Sequence, residues 1–533
     1  MQKDKLSKHY PRNLPSWKKL SKNYRSNKKI KSIQSLFKSD KKRSKKFSIE
    51  VGDLFLDYSK NFIDTDTVDL FSQLACEANL SDAIEGMFSG SHVNTTEDKS
   101  ALHVALRSKI SDKIALNQDG VSQIWPTLDA MERFISDLHE GKIRGTTNKR
   151  ITNILNIGIG GSELGSTMTV NALRSYWKGN LNYYSVSNGD QSEINYVLKK
   201  IELDETLFLI CSKSFHTIET KNNAKIAKEA LETNFGKRAV NKHFLGISSN
   251  REGMTDFGIH KDKQFYISDW VGGRFSITSA MGLPLACMIG MDNFYRFLDG
   301  ARLMDMHFKN ASFDHNMPVI LAMLSIFYTN FYNAQSQAII CYGDKLTHFT
   351  DFLRQLHMES LGKKTKLDGS PVNVNTGNVI WGGSGSDGQH SYFQLLHQGT
   401  YVIPIDFIVE AAVGIGQIDV YSLANCLAQS ESLMSGIQET DPERSIDGNK
   451  PNNVLFVNKL SPQTVGQLVS LYEHKVFVQS IIYGINAFDQ FGVELGKKNA
   501  QSLSKAISKS SRYTGKNPST RALLSKLREY NKE

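Results

Sequence analysis

The sequence predicts an α/β protein with two sugar-isomerase-sized, doubly wound domains, whose parallel-rich sheets are flanked by helices, and with helical segments at the N and C termini. Three observations predict it. Residues 154–159 and 207–211 are short apolar runs bounded by small polar residues, and each is followed by a helix-like stretch. That rhythm marks buried parallel strands alternating with helices. It recurs after Ala338, where AIICYGD again leads from an apolar run into a helix. With 533 residues, 40% of them hydrophobic, the chain is long enough for two or more cores.

Taken in order, residues 1–120 are expected to be a basic arm and helical segment packing on the larger domain. Residues 121–290 form a first, smaller α/β domain, residues 291–510 a second, larger one, and 511–533 a basic tail. The formal charge of +10 is confined to the two ends. Residues 1–50 carry 17 Lys and Arg against 3 acids, and residues 496–533 carry 10 against 2, which leaves the body acidic. The basic head is interleaved with Tyr10, Pro11, Leu14, Pro15, Trp17, Leu20 and Phe37. That mixture suits a segment draped over a folded body and argues against a nucleic-acid arm.

Five cysteines, Cys76, Cys211, Cys287, Cys341 and Cys426, are scattered, odd in number and without zinc spacing. They read as reduced thiols of a cytoplasmic protein. The first residues lack the apolar core of a secretory signal. The most apolar stretch, MPVILAMLSIFYTNFY from Met317, is too short to span a bilayer. Asn316 and Pro318 mark it instead as the start of a capped, buried helix. No membrane partner and no metal or organic cofactor is expected.

Two strand-to-helix turns carry the chemical signal. In ITNILNIGIGGSELGSTM, from Ile151, Gly160, Gly161, Ser162 and Gly165 open a helix. In LFLICSKSFHTIETKNNA, from Leu207, the apolar run gives way at Ser212 to Lys213, Ser214 and Thr217. Paired glycines let ligand oxygens approach bare backbone, and helix N-terminal N–H groups with short hydroxyls make an anion site. Neither nucleotide fingerprint fits. Glu163 stands where a dinucleotide motif needs its third glycine, and Ser166 where a P-loop needs lysine. The residues leave two readings, ordinary capping turns or a site for one small anion.

Four later stretches add ionisable groups. Arg274 follows a Gly-Gly pair in DWVGGRFS, where it could either pair with a carboxylate or stabilise a developing oxyanion. Gln355 and Glu359 are four apart in RQLHMESLGK and share a helical face. His390 follows the glycine-rich run WGGSGSDGQ, with His397 seven residues later. Gln490, Glu494 and Lys497 close the stretch YEHKVFVQSIIYGINAFDQFGVELGKKNA.

Together these stretches resemble the phosphoglucose isomerase family. NIGIGGSELGS is similar to its glycine-rich phosphate turn and SKSFHTIET to its S-K-T-F-T-T-x-E-T segment, while WVGGRFS and DQFGVELGK resemble its two signatures. FSIEVGDLFLDYSKNFI, MFSG and TEDKSALHVALR extend the likeness, which runs from about Phe47 to Ala500. It implies a site for glucose 6-phosphate and fructose 6-phosphate, with Gly161, Ser162, Ser212, Lys213 through its backbone, Ser214 and Thr217 on the phosphate. Gln355 and Gln490 would also bind substrate. His390 would open the ring with help from Lys497, Glu359 would move the proton between C2 and C1, and Arg274 would steady the enediolate. A homodimer with shared sites is implied as well.

The sequence departs from the family pattern at Ser214 and His216 (usually Thr), Phe275 (Tyr), Thr278 and Phe491 (Trp) and Leu361 (Asn). None of these removes a reacting group. The competing reading is a non-catalytic sugar-phosphate sensor, which would keep the phosphate turns and lose the base, acid, cation and lysine. Glu359, His390, Arg274 and Lys497 are all present.

Overall fold

A computed structural model describes residues 10–27, 32–412, 420–508, 513–515 and 517–531. It divides into two compact units, Met1–Ala487 and Phe488–Glu533. The first contains two sheets. One is wholly parallel and is built from β3 (Asn153–Ile157), β4 (Asn182–Val186), β5 (Thr206–Cys211), β6 (Phe244–Ser248) and β7 (Gln264–Tyr266) in the order β4-β3-β5-β6-β7. The other is mixed, with β1 (Ser48–Val51), β2 (Leu54–Lys60), β8 (Ser336–Tyr342), β9 (Val379–Ser384), β10 (Ile405–Glu410) and β11 (Asn452–Val457) in the order β1-β2-β11-β10-β8-β9. The α/β class expected from the apolar runs is the class observed.

β3 and β5 are buried at every position, the pattern of strands covered on both faces. Chain order reverses at β3. The chain leaves it for β4 on one side and returns to β5 on the other, which puts a topological switch point between the β3 and β5 carboxyl ends.

The N-terminal segment also contains strands. β1 and β2 form a hairpin around Gly52 and Asp53, and β2 pairs antiparallel with β11. Its cause is the alternation Ile49, Val51, Leu54, Leu56, Tyr58, which buries one face of each strand. Residues 10–24 make specific contacts with the rest of the first unit. Trp17 and Leu20 are buried, Ser16 donates from its backbone N–H and its hydroxyl to the Glu77 carboxylate, and Lys366 Nζ lies 3.3 Å from the Tyr10 ring centre.

The apolar run from Met317 is a buried helix, Met317–Phe331, with Asn316 Oδ1 accepting from Val319 N–H. The longest helix among the described residues, Pro462–Tyr483, is buried at every position but Gln463 and packs on the helices Met291–Asn310, Met317–Phe331 and Phe349–Leu361. The first of those contacts is a backbone approach. A Cβ on Gly300 would fall 1.8 Å from Gln463 O, and one on Gly466 2.0 Å from Phe297 O. Among the described residues no helix is long and apolar enough to cross a membrane.

Candidate active site

The site begins at the switch point. After β3, Gly160–Ser162 make a single 3₁₀ turn before the helix Leu164–Ala172. After β5, residues 212–217 lead into the helix Ile218–Phe235. Thr217 holds the N-cap position of that helix, yet its hydroxyl makes no capping hydrogen bond. Instead Ser212 Oγ donates to Thr217 Oγ1 at 3.4 Å, while Ser212 Oγ accepts from Phe215 N–H at 3.2 Å. Phe215 sits at φ 57°, a left-handed conformation that a bulky residue adopts only at a local cost of about 1–3 kcal/mol. The hydroxyls therefore face one another across a tight turn, with an 18-residue helix beginning behind them. The capping reading does not account for Thr217.

Lys213 is held by both ends. Its carbonyl accepts from Ser249 N–H at 3.0 Å and from the hydroxyls of Ser248 and Ser249, each at 2.8 Å. Its ammonium donates to Asp269 O at 2.7 Å.

Arg274 lies in the 3₁₀ turn Gly273–Phe275, which follows β7. That turn packs directly on the β3 turn. A Cβ on Gly161 would stand 2.2 Å from the Gly273 carbonyl carbon and 2.6 Å from Arg274 N, so only glycine fits. Ser276 Oγ donates to Gly161 O at 3.2 Å. The Arg274 side chain is buried, with Nε–H on Ser360 Oγ at 2.6 Å and Nη2–H on Ala487 O.

Glu359 comes from the mixed-sheet half, on the helix Phe349–Leu361 that follows β8. Arg274 Nη1 is 3.2 Å from Glu359 Oε2, and Gln355 Nε2 donates to the same oxygen at 3.0 Å. Gln355 in turn faces the β3 turn, since a Cβ on Gly160 would stand 3.1 Å from its Nε2. Gly160, Gly161, Arg274, Gln355 and Glu359 thus form one continuous constellation. The Glu359 side chain remains 26% exposed while that of Arg274 is 3% exposed, so a buried cation meets a carboxylate that a ligand can reach.

The other expected residues lie on other elements. His390 is exposed at the end of the short helix Gly385–Gln389, and among the described residues its imidazole forms no ion pair with Glu359. His397 is bonded to Gln429 Oε1 at 2.7 Å. Gln490 and Lys497 belong to the C-terminal unit, Gln490 just before the turn Phe491–Val493 and Lys497 in the first turns of the helix Glu494–Ile507. Three partners escaped the sequence reading, namely Ser360, Ala487 and Asp269. Ser360 adjoins Glu359 in the MES triplet and could have been suspected. Ala487 and Asp269 act here through backbone carbonyls, which leave no mark on residue type.

Two glycine- and hydroxyl-bearing turns at a switch point, with a guanidinium–carboxylate pair formed between the two sheet halves beside the first of them, mark a sugar-isomerase-type α/β protein. The comparisons narrow the class. The chain matches the phosphoglucose isomerase family over residues 57–524. It is 43% identical over 539 aligned residues to a glucose-6-phosphate isomerase of Marinomonas sp. (strain MWYL1), covering 96% of this chain and 98% of that one. It is also 43% identical to one of Pseudomonas savastanoi pv. phaseolicola, covering 97% of each. The structure is similar to the crystal structure of a glucose-6-phosphate isomerase from Chlamydia trachomatis, with TM-score 0.85, 28% identity and coverage of 98% and 99%. A hypothetical protein from Thermus thermophilus shares the fold, with TM-score 0.58 and 23% identity over 75% of this chain and 94% of that one. The chain belongs to the phosphoglucose isomerase family.

Proposed function

We propose that the protein interconverts D-glucose 6-phosphate and D-fructose 6-phosphate through a cis-enediol(ate). The observation that carries this reading is the Arg274–Glu359 pair seated against the Gly160–Gly161 turn. The phosphate occupies the turns of Gly161 and Ser162 and of Ser212, Lys213 N–H, Ser214 and Thr217. This anchors the end of the sugar that does not react and fixes C1 and C2 beside the carboxylate.

His390 protonates the ring oxygen as the pyranose opens to the aldehyde. Glu359 then takes the C2 proton and returns it to C1 on the same face. A carboxylate is a weak base for a carbon acid, so the step depends on stabilising the charge that develops on the oxygens. Arg274 supplies that stabilisation, already oriented by Ser360 and Ala487 and needing no rearrangement as the charge forms. Gln355 holds Glu359 in place. For Gln490 and Lys497, as substrate-binding residue and helper at O1, the support is the likeness of DQFGVELGK to the family signature alone.

His390 is exposed, and the reading takes the protein as a homodimer in which each subunit lends this histidine to its partner's site, as the family likeness implies. The five free cysteines suit work in the reducing cytoplasm. The test is a coupled assay in which purified protein converts fructose 6-phosphate and glucose 6-phosphate is read continuously. Tight binding of both sugar phosphates without turnover would make the protein a sensor instead.

A further inference from the structure

The segment between Asp269 and Arg274 is gripped at both ends by the anion turns. At one end Gly161 lies against the Gly273–Arg274 backbone. At the other, the Lys213 ammonium reaches out of the hydroxyl turn to Asp269 O at 2.7 Å, with Asp269 Oδ1 3.9 Å away. The Asp269 carboxylate is itself held by Lys99 Nζ at 2.5 Å. Lys99 pairs with Asn94 in a β-bridge, and Asn94 Oδ1 accepts from Asn486 Nδ2 at 2.8 Å. Asn486 directly precedes Ala487, whose carbonyl fixes the Arg274 guanidinium. Two routes therefore run from the hydroxyl turn toward Arg274, one through the five-residue segment after Asp269 and the other through Lys99, Asn94 and Ala487.

We propose that the Lys213 side chain is a positioning group that couples the phosphate turn to Arg274, so that seating the phosphate and aligning the guanidinium with Glu359 are one event. The inference rests on the proposed isomerase reading for its catalytic consequence, though not for the coupling itself. Its physical basis is the division of labour within one residue. The Lys213 carbonyl anchors the turn on Ser248 and Ser249 and the ammonium is engaged by Asp269 O, while the backbone N–H is the group that meets the phosphate in the proposed reading. Tightening of the turn around a dianion then pulls on the segment that carries Arg274. Binding energy from the remote phosphate is in this way spent on orientation at the reacting carbons.

The experiment uses inorganic phosphate as probe and hydrogen exchange as readout, on the full chain. In the unsubstituted protein phosphate should slow exchange in both 212–217 and 269–276. In Lys213→Met it should slow exchange in 212–217 only, and Lys213→Arg should restore both. In the coupled assay Lys213→Met should lower kcat by about 10- to 100-fold, while inhibition by phosphate stays within about threefold of normal. Protection of both segments in Lys213→Met overturns the proposal. So does indifference of 269–276 to phosphate in the unsubstituted protein, a result that needs no variant to fold. Weakened phosphate inhibition matching the loss of kcat/KM also overturns it, because the ammonium would then be an ordinary phosphate ligand. Should the unsubstituted protein show coupled protection but no turnover, the isomerase reading fails while the coupling stands.

Discussion

Arg274 Nη1 stands 3.2 Å from Glu359 Oε2, and the two residues come from different sheets, one from the turn after β7 and the other from the helix after β8. Other donors of the guanidinium fork are tied to Ser360 and to the Ala487 carbonyl. The cation is thus held by a hydroxyl, a carbonyl and the carboxylate, while the carboxylate stays partly open.

Glu359→Gln keeps the shape of this arrangement and removes the base. Isomerisation should fall by about 10²- to 10⁴-fold, and exchange of the C2 proton with solvent should fall with it. Binding of the sugar phosphate should stay within a few fold. Near-normal exchange would place the base elsewhere.

Ser212→Ala with Thr217→Ala removes two hydroxyls that do not cap the helix behind them. The double variant should bind 6-phosphate sugars more weakly, each lost charge-assisted hydrogen bond being worth about 1.5–3 kcal/mol. Phosphate inhibition should weaken in parallel. An unchanged preference for phosphorylated over unphosphorylated sugar would reduce the turn to a structural role.

Gly161→Ala tests the backbone contact between the β3 turn and the Arg274 turn. Its new methyl would stand 2.2 Å from the Gly273 carbonyl carbon, so one of the turns must move. A loss of about 1–3 kcal/mol in stability is expected, with kcat down about 100-fold as Arg274 shifts. Gly273→Ala should cost less on both measures, since its nearest neighbour atom is 4.0 Å away. Equal effects in the two variants would contradict the packing argument.

His357 shares the Glu359 helix and is buried, with its Nε2 2.7 Å from Asn378 Oδ1. Burial, and then the charge of Lys475, push its pKa down to about 3. The unfolded chain therefore takes up a proton below pH ~6.5 that the folded protein does not. The histidine's contribution to stability is full above that pH and is lost progressively toward pH 3. Between pH 7.5 and 5 the loss through this group should be about 2 kcal/mol. Urea unfolding at the two pH values should show His357→Gln losing less stability than the unsubstituted protein by that margin, and equal losses would exonerate the histidine.

The placement of His390 calls for a test in mixed dimers. Glu359→Gln and His390→Ala chains, each inactive alone, are co-expressed and the heterodimer is isolated. If the histidine crosses to the partner, one site combines both lesions and the other none, and up to half of normal activity returns. If each chain uses its own histidine, every site carries one lesion and the heterodimer stays inactive.

The sequence by itself determined the strands, the two turns and the inventory of reacting groups. Strand and turn signals are local, since an apolar run such as 207–211 or a glycine pair such as Gly160–Gly161 dictates backbone whatever surrounds it. Residue type also limits chemistry, so that Glu359 could be suspected as a base and Arg274 as a cation before either was placed. The hairpin of β1 and β2 was legible too, in the alternation of Ile49, Val51, Leu54 and Leu56, although overall composition obscured it. What only the tertiary structure decided is which of these groups meet. Arg274 and Glu359 are far apart in the chain, and nothing in either segment encodes the other. Their contact exists because the backbone at Gly161 lies against Gly273 and because Gln355 bridges from the β3 turn to the Glu359 carboxylate. The buried Arg107 shows the same limit. It pairs with Asp305 and Glu473, and no local pattern foretells either partner. Contacts of this kind arise where elements distant in sequence pack together, and backbone carbonyls such as those of Ala487 and Asp269 enter them through position alone.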